Sequence, residues 1–365
     1  MLASSTLVRL MRADPAPGRG AGEAAGQLEA RALWFTASRA AELRPEIVSP
    51  PGPSEVRIRT VVSAPSSGTE MLVYRGEVPP NLALDLPTLE GSFAFPIKYG
   101  YAAVGRVLDS GRAVEQLAPG DLVFVNHPHQ DLFTVAAGLP VRLPESLSPE
   151  RALFAANLET ALNVVHDTPL RLGETALVFG AGVVGLLVAQ LLRMAGARHV
   201  LVVEPLASRR KLALAVGADE ALETGEDLKE RVFEATGGRG ADVAVEASGA
   251  GAALRAATEV VAGEGTVVVA SWYGTKPVTL NLGGRFHRER IRVRSSQVGR
   301  VNPELAPRWD RTRRTKAVLG LLEEPRLRLE SLISHRFAFS EAPLAYRLVD
   351  ERPSETAQVI LTYSE

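Results

Sequence analysis

The most specific chemical signal in the sequence is a group of three glycines within six residues. They directly follow the apolar run TALVF and open a second apolar stretch, which predicts a strand, a tight turn and a helix. Gly180 permits the turn, Gly182 leaves room for a pyrophosphate against the backbone, and Gly185 lets the helix pack on the strand. The helix N-terminus then faces the phosphates. The sequence therefore predicts a dinucleotide site at Gly180, Gly182, Val183, Val184 and Gly185.

Two charged residues bear on which dinucleotide this site takes. The next apolar run, HVLVVE, ends in Glu204, and Arg209 follows with two more basic residues. A carboxylate accepts hydrogen bonds from both ribose hydroxyls and repels a 2′-phosphate, which favours NAD. Arg209 either favours NADP or lies on a solvated helix face, so we predict NAD and leave NADP open. Ser248, after the run ADVAVEA, is predicted to contact the far half of the cofactor.

Two histidines are candidates for proton chemistry. His127 and His129 flank Pro128 in a loop after the run DLVFV. An imidazole titrates near pH 7, so either could be a general acid, and the alternative is an exposed polar residue. With no third ligand they do not predict a metal site. Glu159, on a later helix, could be a base, a residue at the pocket rim, or a partner for arginines.

The elements that must position these groups are of two kinds. From Arg31 to about Val141, short and often alternating apolar runs are broken by Gly and Pro, which is typical of β structure. From Thr175, strands alternate with helices, which is typical of parallel βαβ units. After about Arg294 this alternation stops, and QVILTY predicts a terminal strand that rejoins the first region.

The predicted fold class is therefore α/β, with two domains. A β domain is expected at 27–157 with its return segment at 298–365, and a doubly wound parallel sheet at 158–297. Residues 1–26 are rich in Gly, Ala, Pro and Arg. They are predicted to be a flexible N-terminal extension, with a transit peptide as the alternative.

Composition excludes several classes of function. The 365 residues are 46% hydrophobic and carry 41 Lys+Arg against 42 Asp+Glu, so no net field attracts nucleic acid or an anionic membrane. No apolar run is long enough to cross a bilayer. The chain has no cysteine, which excludes disulfides, iron–sulfur clusters and thiolate zinc sites. We predict a cytoplasmic protein with a small-molecule substrate, with no nucleic-acid or membrane partner.

The basic residues are concentrated in two stretches. These are RFHRERIRVR at 285–294 and the later RWDRTRR. The alternation in RIRVR predicts a strand with its arginines on one solvated face. The alternative is that some of these arginines close over the cleft and bind a substrate carboxylate or phosphate.

Five stretches carry a resemblance to a known family. They are SSGTEMLVYRGE at 66–77, KYGYAAVGRV at 98–107, APGDLV at 118–123, NLETALNVV at 157–165 and the glycine motif. Together they resemble the medium-chain dehydrogenase/reductase superfamily, the alcohol dehydrogenase-like enzymes. The resemblance implies a GroES-like β domain beside a Rossmann domain, a cofactor contact from Thr160, and a homodimer, for which the run VTLNL at 278–282 offers an edge.

The resemblance departs from the zinc-dependent members at the metal. The positions of their three zinc ligands look like Ser67, Tyr101 and Ala156 here, and the cysteine-rich lobe for a structural zinc is missing. The chain thus resembles a zinc-independent branch. The motifs SSGTE and KYGYAAVG are similar to those of the group that contains the bacteriochlorophyllide dehydrogenases.

Without zinc, side chains must stabilise the developing alkoxide or supply its proton. Tyr101 can act as an acid if a positive charge, such as that of Lys98, lowers its pKa, and the alternative is that it only fills the ligand void. We predict a zinc-independent NAD(P)(H)-dependent oxidoreductase of secondary alcohols and ketones, with Tyr101, His127 and Ser67 as catalytic residues. The alternatives are a quinone or enoyl reductase that uses NADPH, and a nucleotide-binding protein without chemistry.

Overall fold

The structure is a computed structural model, and it describes residues 26–84, 88–89 and 91–364. Apart from Gly26, the predicted N-terminal extension lies outside the described residues. The first region is mainly β, as its alternating runs predict. Its elements are β1 Leu28–Ala37, β2 Ala40–Val48, β3 Glu55–Ser63, α1 Thr69–Tyr74, β4 Ala103–Ser110, β5 Leu122–Val125, β6 Leu132–Ala136 and β7 Val141–Arg142.

The middle of the chain alternates strands and helices. Its elements are α2 Pro149–Ala152, α3 Ala155–Asp167, β8 Thr175–Phe179, α4 Val183–Met194, β9 His199–Val203, α5 Ala207–Ala215, β10 Glu220–Leu222, α6 Leu228–Ala235, β11 Ala241–Glu246, α7 Gly251–Val260, β12 Val261–Val269 and β13 Arg292–Ser295. The six strands form one parallel sheet in the order β10-β9-β8-β11-β12-β13. The order reverses direction between β8 and β11, and ligands bind at the carboxyl ends of strands at such a point.

The last segment returns to the first sheet. Its elements are α8 Arg311–Glu323, β14 Ile333–Ala338, α9 Ala342–Glu351 and β15 Gln358–Thr362. β15 pairs antiparallel with β3, and the sheet runs β14-β15-β3-β4-β5-β7, with β6 also paired to β3. The predicted fold class, a GroES-like β domain with a doubly wound parallel sheet, is confirmed.

The two regions share a hydrophobic core. The largest buried cluster joins Phe124 of β5 and Ile360 of β15 to Leu158 of α3 and Val188 of α4. Because α3 packs against both regions, it fixes the walls of the cleft between them. Within the described residues, no helix is long and apolar enough to cross a membrane.

Candidate active site

One cavity of about 850 Å³ lies between the β region and the parallel sheet. Its cofactor end, as we call it, is lined by the glycine turn and by the loops after β9 and β11. Its substrate end is lined by the segment that enters α1, by Tyr101, by α3 and by the loop after β12. Residues that the sequence separates by two hundred positions thus face one space.

The glycine turn is shaped by close backbone approaches. Gly180 has φ +99°, and a Cβ there would lie 2.9 Å from the Cα of Ser248. A Cβ on Gly185 would lie 2.0 Å from the carbonyl oxygen of Gly180, so only glycine lets α4 pack there. Gly182 has no heavy atom within 4 Å of an added Cβ, and it borders the cavity beside Val183 and Val184. This open cradle at a helix N-terminus fits a pyrophosphate.

Glu204 and Arg209 face the cavity at the ribose position. Glu204 is 4% exposed, and its carboxylate accepts hydrogen bonds from the N–H groups of Ala181 (2.8 Å) and Leu206 (3.0 Å). Arg209 donates to the carbonyl oxygen of Thr356 (3.2 Å), and its buried Nε has no hydrogen-bond partner. Burial lowers the pKa of Arg209, and Glu204 opposes that shift. An acceptor and an unsatisfied donor at one place fit a ribose diol.

Ser248 lines the cavity in a loop that is held by a buried acid. Oε1 of Glu246 accepts from the Ser248 N–H (2.7 Å), the Ser248 hydroxyl (2.6 Å) and the Gly249 N–H (2.9 Å). Oε2 accepts from the Tyr273 hydroxyl (2.8 Å), and burial together with Glu246 raises the pKa of Tyr273. Sequence reasoning missed Glu246, although an acid that ends a buried strand before Ala-Ser-Gly was a usable signal.

The substrate end brings four hydroxyl groups to one wall. Ser66, Ser67, Thr69 and Tyr101 all line the cavity, and hydrogen bonds from the Ser66 and Thr69 hydroxyls lower the pKa of Tyr101. Burial and the nearby carboxylate of Glu70 raise that pKa more strongly, so the phenol stays protonated. Sequence reasoning named Tyr101 and Ser67 but missed Ser66 and Thr69, which the motif SSGTE already contained.

Lys98 does not lower the pKa of Tyr101 as the sequence suggested it could. The Lys98 Nζ lies 2.9 Å from Oε2 of Glu46 and 3.3 Å from Oε1 of Gln130. It also lies over the ring of Trp34, 5.6 Å from the centroid. The ammonium is therefore committed elsewhere, and the pKa of the phenol rises because burial dominates.

His127 does not reach the cavity, and its predicted role as a general acid is wrong. The side chain is buried and stacks on Phe133 at 3.6 Å between ring centroids. Its Nδ1 lies 2.9 Å from the carbonyl oxygen of Pro128. Burial lowers the pKa of His127 to about 3, so the ring is neutral at physiological pH. The loop turns this side chain into the β core, where it packs as an aromatic residue.

His129 is also buried rather than placed in the cleft. Its Nδ1 lies 2.7 Å from the Ser63 hydroxyl, and its Nε2 lies 3.0 Å from Oε2 of Glu70. The same Glu70 oxygen accepts a hydrogen bond from the hydroxyl of Tyr346. These four side chains have no exposed surface, so they support the wall behind Tyr101 without meeting a ligand.

Helix α3 contributes Asn157 and Thr160 to the cavity, and the contact of Thr160 with a cofactor stays a prediction. Glu159, the candidate base, instead accepts from Nε (3.0 Å) and Nη2 (2.8 Å) of the buried Arg314. Of the three roles that the sequence left open for Glu159, the structure shows the one in which it pairs with an arginine. This pairing joins α3 to α8 and commits the Glu159 carboxylate to an ion pair.

The arginines of RIRVR lie at the edge strand β13 and just before it. Arg290 and Arg292 both pair with Glu264, and their side chains are 77% and 62% exposed. Arg285, before this run, is largely buried and pairs with Glu289. The arginines that line the cavity in the described part of the chain are Arg75 and Arg209. The solvated face predicted for RIRVR therefore describes Arg290 and Arg292, and closure of these arginines over the cleft does not.

The three positions that resemble zinc ligands offer a hydroxyl, a phenol and a methyl group. Zinc in proteins is held by thiolate, imidazole and carboxylate groups, and alanine has no donor at all. Ser67, Tyr101 and Ala156 therefore do not fit a zinc ion. Among the described residues, no group of three or more His, Cys, Asp or Glu side chains could hold a metal.

Comparison with known proteins identifies the family. A family model described as zinc-binding dehydrogenase matches residues 183–312. The (R,R)-butanediol dehydrogenase of Bacillus subtilis (strain 168) is 31% identical over 236 residues, which cover 56% of this chain and 67% of that protein. The chain belongs to the medium-chain dehydrogenase/reductase superfamily. It is thus an oxidoreductase of the alcohol dehydrogenase type.

Other members of the superfamily match more of the chain. D-guloside 3-dehydrogenase of Escherichia coli (strain K12) is 29% identical over 330 residues, which cover 85% of this chain and 93% of that protein. An alcohol dehydrogenase of E. coli CFT073, solved with its cofactor NADH, is 19% identical with a TM-score of 0.76, and covers 92% of this chain and 99% of that one. At that identity the structure shows the medium-chain fold alone.

Proposed function

We propose that this protein is a zinc-independent oxidoreductase that transfers a hydride between NAD(H) and a secondary alcohol or ketone. The observation that supports the proposal is that Tyr101, Ser66 and Thr69 line the same cavity as the glycine turn and that their hydroxyls are hydrogen-bonded together. Tyr101 is also one of the three positions that resemble zinc ligands of the zinc-dependent members. Within the superfamily we place the chain in the branch that resembles the bacteriochlorophyllide dehydrogenases.

The nicotinamide, when bound, supplies the hydride to the carbonyl carbon or takes it from the carbinol carbon. Tyr101 then acts on the oxygen. Because burial raises its pKa, its Oη carries a proton and donates a hydrogen bond to the carbonyl oxygen. As the oxygen gains negative charge, the proton moves from Oη to the new alkoxide, which is the stronger base. Ser66 and Thr69 orient the phenol and stabilise its oxygen during that transfer.

The cofactor end supports NAD over NADP. Glu204 presents a carboxylate where a ribose diol would lie, and a 2′-phosphate would meet its charge. The Nε of Arg209, which has no hydrogen-bond partner, instead favours NADP. With it, this group favours the second candidate function, an NADPH-dependent reductase of an activated carbon–carbon double bond. We rank NAD first because Glu204 is more deeply enclosed and is held by two backbone N–H groups.

The homodimer also remains a proposal. The run at 278–282 forms no strand, so the predicted edge is not there; the edge strand of the parallel sheet is β13, and Leu282 is 54% exposed. An exposed edge beside an apolar side chain suits pairing with a second copy, since both would be covered. Sedimentation of the purified chain at micromolar concentration tests this, with a dimer mass as the expected result.

The decisive experiment follows a labelled hydride. The purified protein is incubated with NADH that carries deuterium at C4 and with a panel of ketones. Mass spectrometry is expected to find the label at the carbinol carbon. Metal analysis is expected to find no stoichiometric zinc, and a chelator is expected to leave the rate unchanged. Stoichiometric zinc with loss of activity on chelation would disprove the proposed mechanism. Preference for NADPH and enones would favour the second candidate.

A further inference from the structure

The substrate end of the cavity is walled by hydrogen-bonding side chains that carry no charge. Its hydroxyl and amide groups belong to Ser66, Ser67, Thr69, Tyr101, Asn157, Thr160 and Gln358. Leu72 is the apolar side chain that α1 adds to this wall. Some of these groups already donate within the protein, as Thr160 does to the Ala156 carbonyl oxygen (3.1 Å) and Asn157 to Oε1 of Gln358 (3.4 Å). Hydroxyl and amide oxygens have further lone pairs that can accept hydrogen bonds, so such a wall suits a ligand with many hydroxyl groups.

The charged groups at this end are already neutralised in pairs. The Nε of Arg75 lies 2.6 Å from Oδ1 of Asp350, and the Nζ of Lys276 lies 3.4 Å from Oε2 of Glu77. Arg209 lies at the cofactor end. A substrate carboxylate or phosphate would have to compete with Asp350 or Glu77 for its cation, so the wall favours a neutral molecule.

One large aromatic side chain lines the same cavity. Trp272 follows β12, lines the cavity and is 40% exposed. Its ring lies 6.0 Å from that of Phe93, which anchors one side of it. Gly274 has φ +60°, and a Cβ there would lie 2.6 Å from the carbonyl oxygen of Glu77, so the loop is docked on the β domain. Trp272 is therefore held in place while much of its ring stays uncovered.

We propose that the substrate is a neutral cyclic polyol or glycoside, with one ring face stacked on Trp272 and its hydroxyls bonded to the polar wall. Such rings combine an apolar C–H face with a polar edge, and aromatic rings present a negative face to C–H groups. This inference rests on the proposed function, because it names the substrate class of the same site. Trp272 is the specificity-determining residue in this arrangement.

The test keeps the ring constant and varies its hydroxyls. Binding to the protein saturated with NAD+, or with NADP+ if NAD+ does not bind, is measured by calorimetry and by quenching of tryptophan fluorescence. The probes are cyclohexanol, trans-cyclohexane-1,2-diol, and a panel of inositol stereoisomers and methyl pyranosides. Acyclic 2,3-butanediol is the control for the ring. Affinity is expected to rise along the hydroxyl series, and the cyclic diol is expected to bind better than the acyclic one.

Variants assign the effect to the aromatic surface. Trp272→Ala is expected to weaken binding of the best cyclic polyol about three- to tenfold, and Trp272→Phe to restore most of it. Binding of 2,3-butanediol is expected to stay unchanged in both. Trp309→Phe is the matched control, because Trp309 packs against His166 away from the cavity. It should keep the affinity that Trp272→Ala loses and the ligand-induced quenching that both Trp272 variants lose.

Failure of this inference and failure of the proposed function have different signatures. If no polyol or glycoside binds better than cyclohexanol, or if Trp272→Ala leaves their binding unchanged, the substrate class is wrong. Hydride transfer to or from a simple alcohol would then still uphold the proposed function. If neither dinucleotide binds and no hydride moves, the proposed function itself is wrong.

Discussion

The two ends of the cleft are built by different means. The cofactor end is shaped largely by backbone, through the glycines at 180, 182 and 185 and through N–H groups fixed by Glu204 and Glu246. The substrate end is made of side chains from four distant segments, among them Tyr101, Thr160 and Trp272. Backbone shape tolerates few substitutions, whereas a side-chain wall can be changed one residue at a time.

That difference decides how freely each end can change in sequence. The glycine turn keeps a pattern that only glycine satisfies, since Cβ atoms at Gly180 and Gly185 would meet atoms at 2.9 and 2.0 Å. At the substrate end, Ser67 and Tyr101 meet the cavity through their side chains. Chemistry at this site can therefore diverge without a change of fold.

The largest expected effect is a loss of stability in the glycine turn. It distinguishes Gly185, which the packing of α4 requires, from Gly182, which borders the ligand site. Gly185→Ala places a Cβ against the Gly180 carbonyl and is expected to cost about 3 kcal/mol or more, because backbone must move. Gly182→Ala, with open space around it, is expected to keep the thermal midpoint and to weaken binding of NADH. Thermal unfolding and NADH titration check both. Equal thermal midpoints for the two variants would contradict the assignment.

A second prediction concerns the side-chain end. Tyr101→Phe removes the proton donor and is expected to lower kcat for ketone reduction about a hundredfold, with NADH affinity unchanged. Stopped-flow and steady-state rates, with NADH fluorescence for binding, measure the two quantities. Thr69→Val is expected to have a smaller effect in the same direction, since Tyr101 keeps its hydroxyl. A full rate in Tyr101→Phe would mean that the tyrosine only fills space.

A third prediction uses a residue outside both ends. Burial lowers the pKa of His127 to about 3, below its ordinary value of about 6.5. Between these values the unfolded chain binds a proton that the folded protein excludes, so stability falls as pH drops through this window, by about 1.4 kcal/mol per pH unit. His127→Asn is expected to flatten this slope. Urea midpoints from pH 4 to 7 check it, and parallel slopes for the two proteins would refute it.

His127→Asn also sharpens the comparison of the two ends. Because His127 stacks on Phe133 in the β core, the variant is expected to keep its kcat at neutral pH while it loses stability. A large loss of kcat in a correctly folded variant would contradict this, because it would mean that His127 takes part in the reaction.

The smallest expected effect is on the choice of cofactor. Glu204→Gln removes the charge but keeps an acceptor, and is expected to reduce the preference for NAD over NADP about tenfold. Arg209→Gln is the matched variant with the opposite charge change. It is expected to weaken the binding of NADP more than the binding of NAD. Ratios of kcat/KM for the two cofactors provide the measurement. If both variants shift the ratio in one direction, these residues do not set the choice.

The sequence predicts best those features that are formed by residues close to one another along the chain. The glycine turn lies within six residues, and the structure places Gly180, Gly182, Glu204 and Ser248 around one cavity. The α/β class followed from the change of rhythm near Thr175, because periodicity reports which faces are buried. These features depend on local geometry and on hydrophobic pattern.

The orientation of the two histidine side chains could not be predicted in this way. A loop position after a strand does not say which way a side chain points, and both His127 and His129 turn into the β domain. Lys98 lies three residues from Tyr101 but pairs with Glu46 across the fold. Spacing alone could not reveal this, because the partners are about fifty residues away in the sequence.

By itself, the sequence determined the fold class, the glycine cradle and the absence of any thiolate ligand. The tertiary structure decided which polar groups share the substrate end, that Glu159 pairs with Arg314, and that Trp272 lines the same cavity as Ser66 and Thr69. The reason is physical. Backbone conformation depends on near neighbours, whereas burial, charge pairing and the pKa of Tyr101 depend on segments that meet only when the two sheets pack.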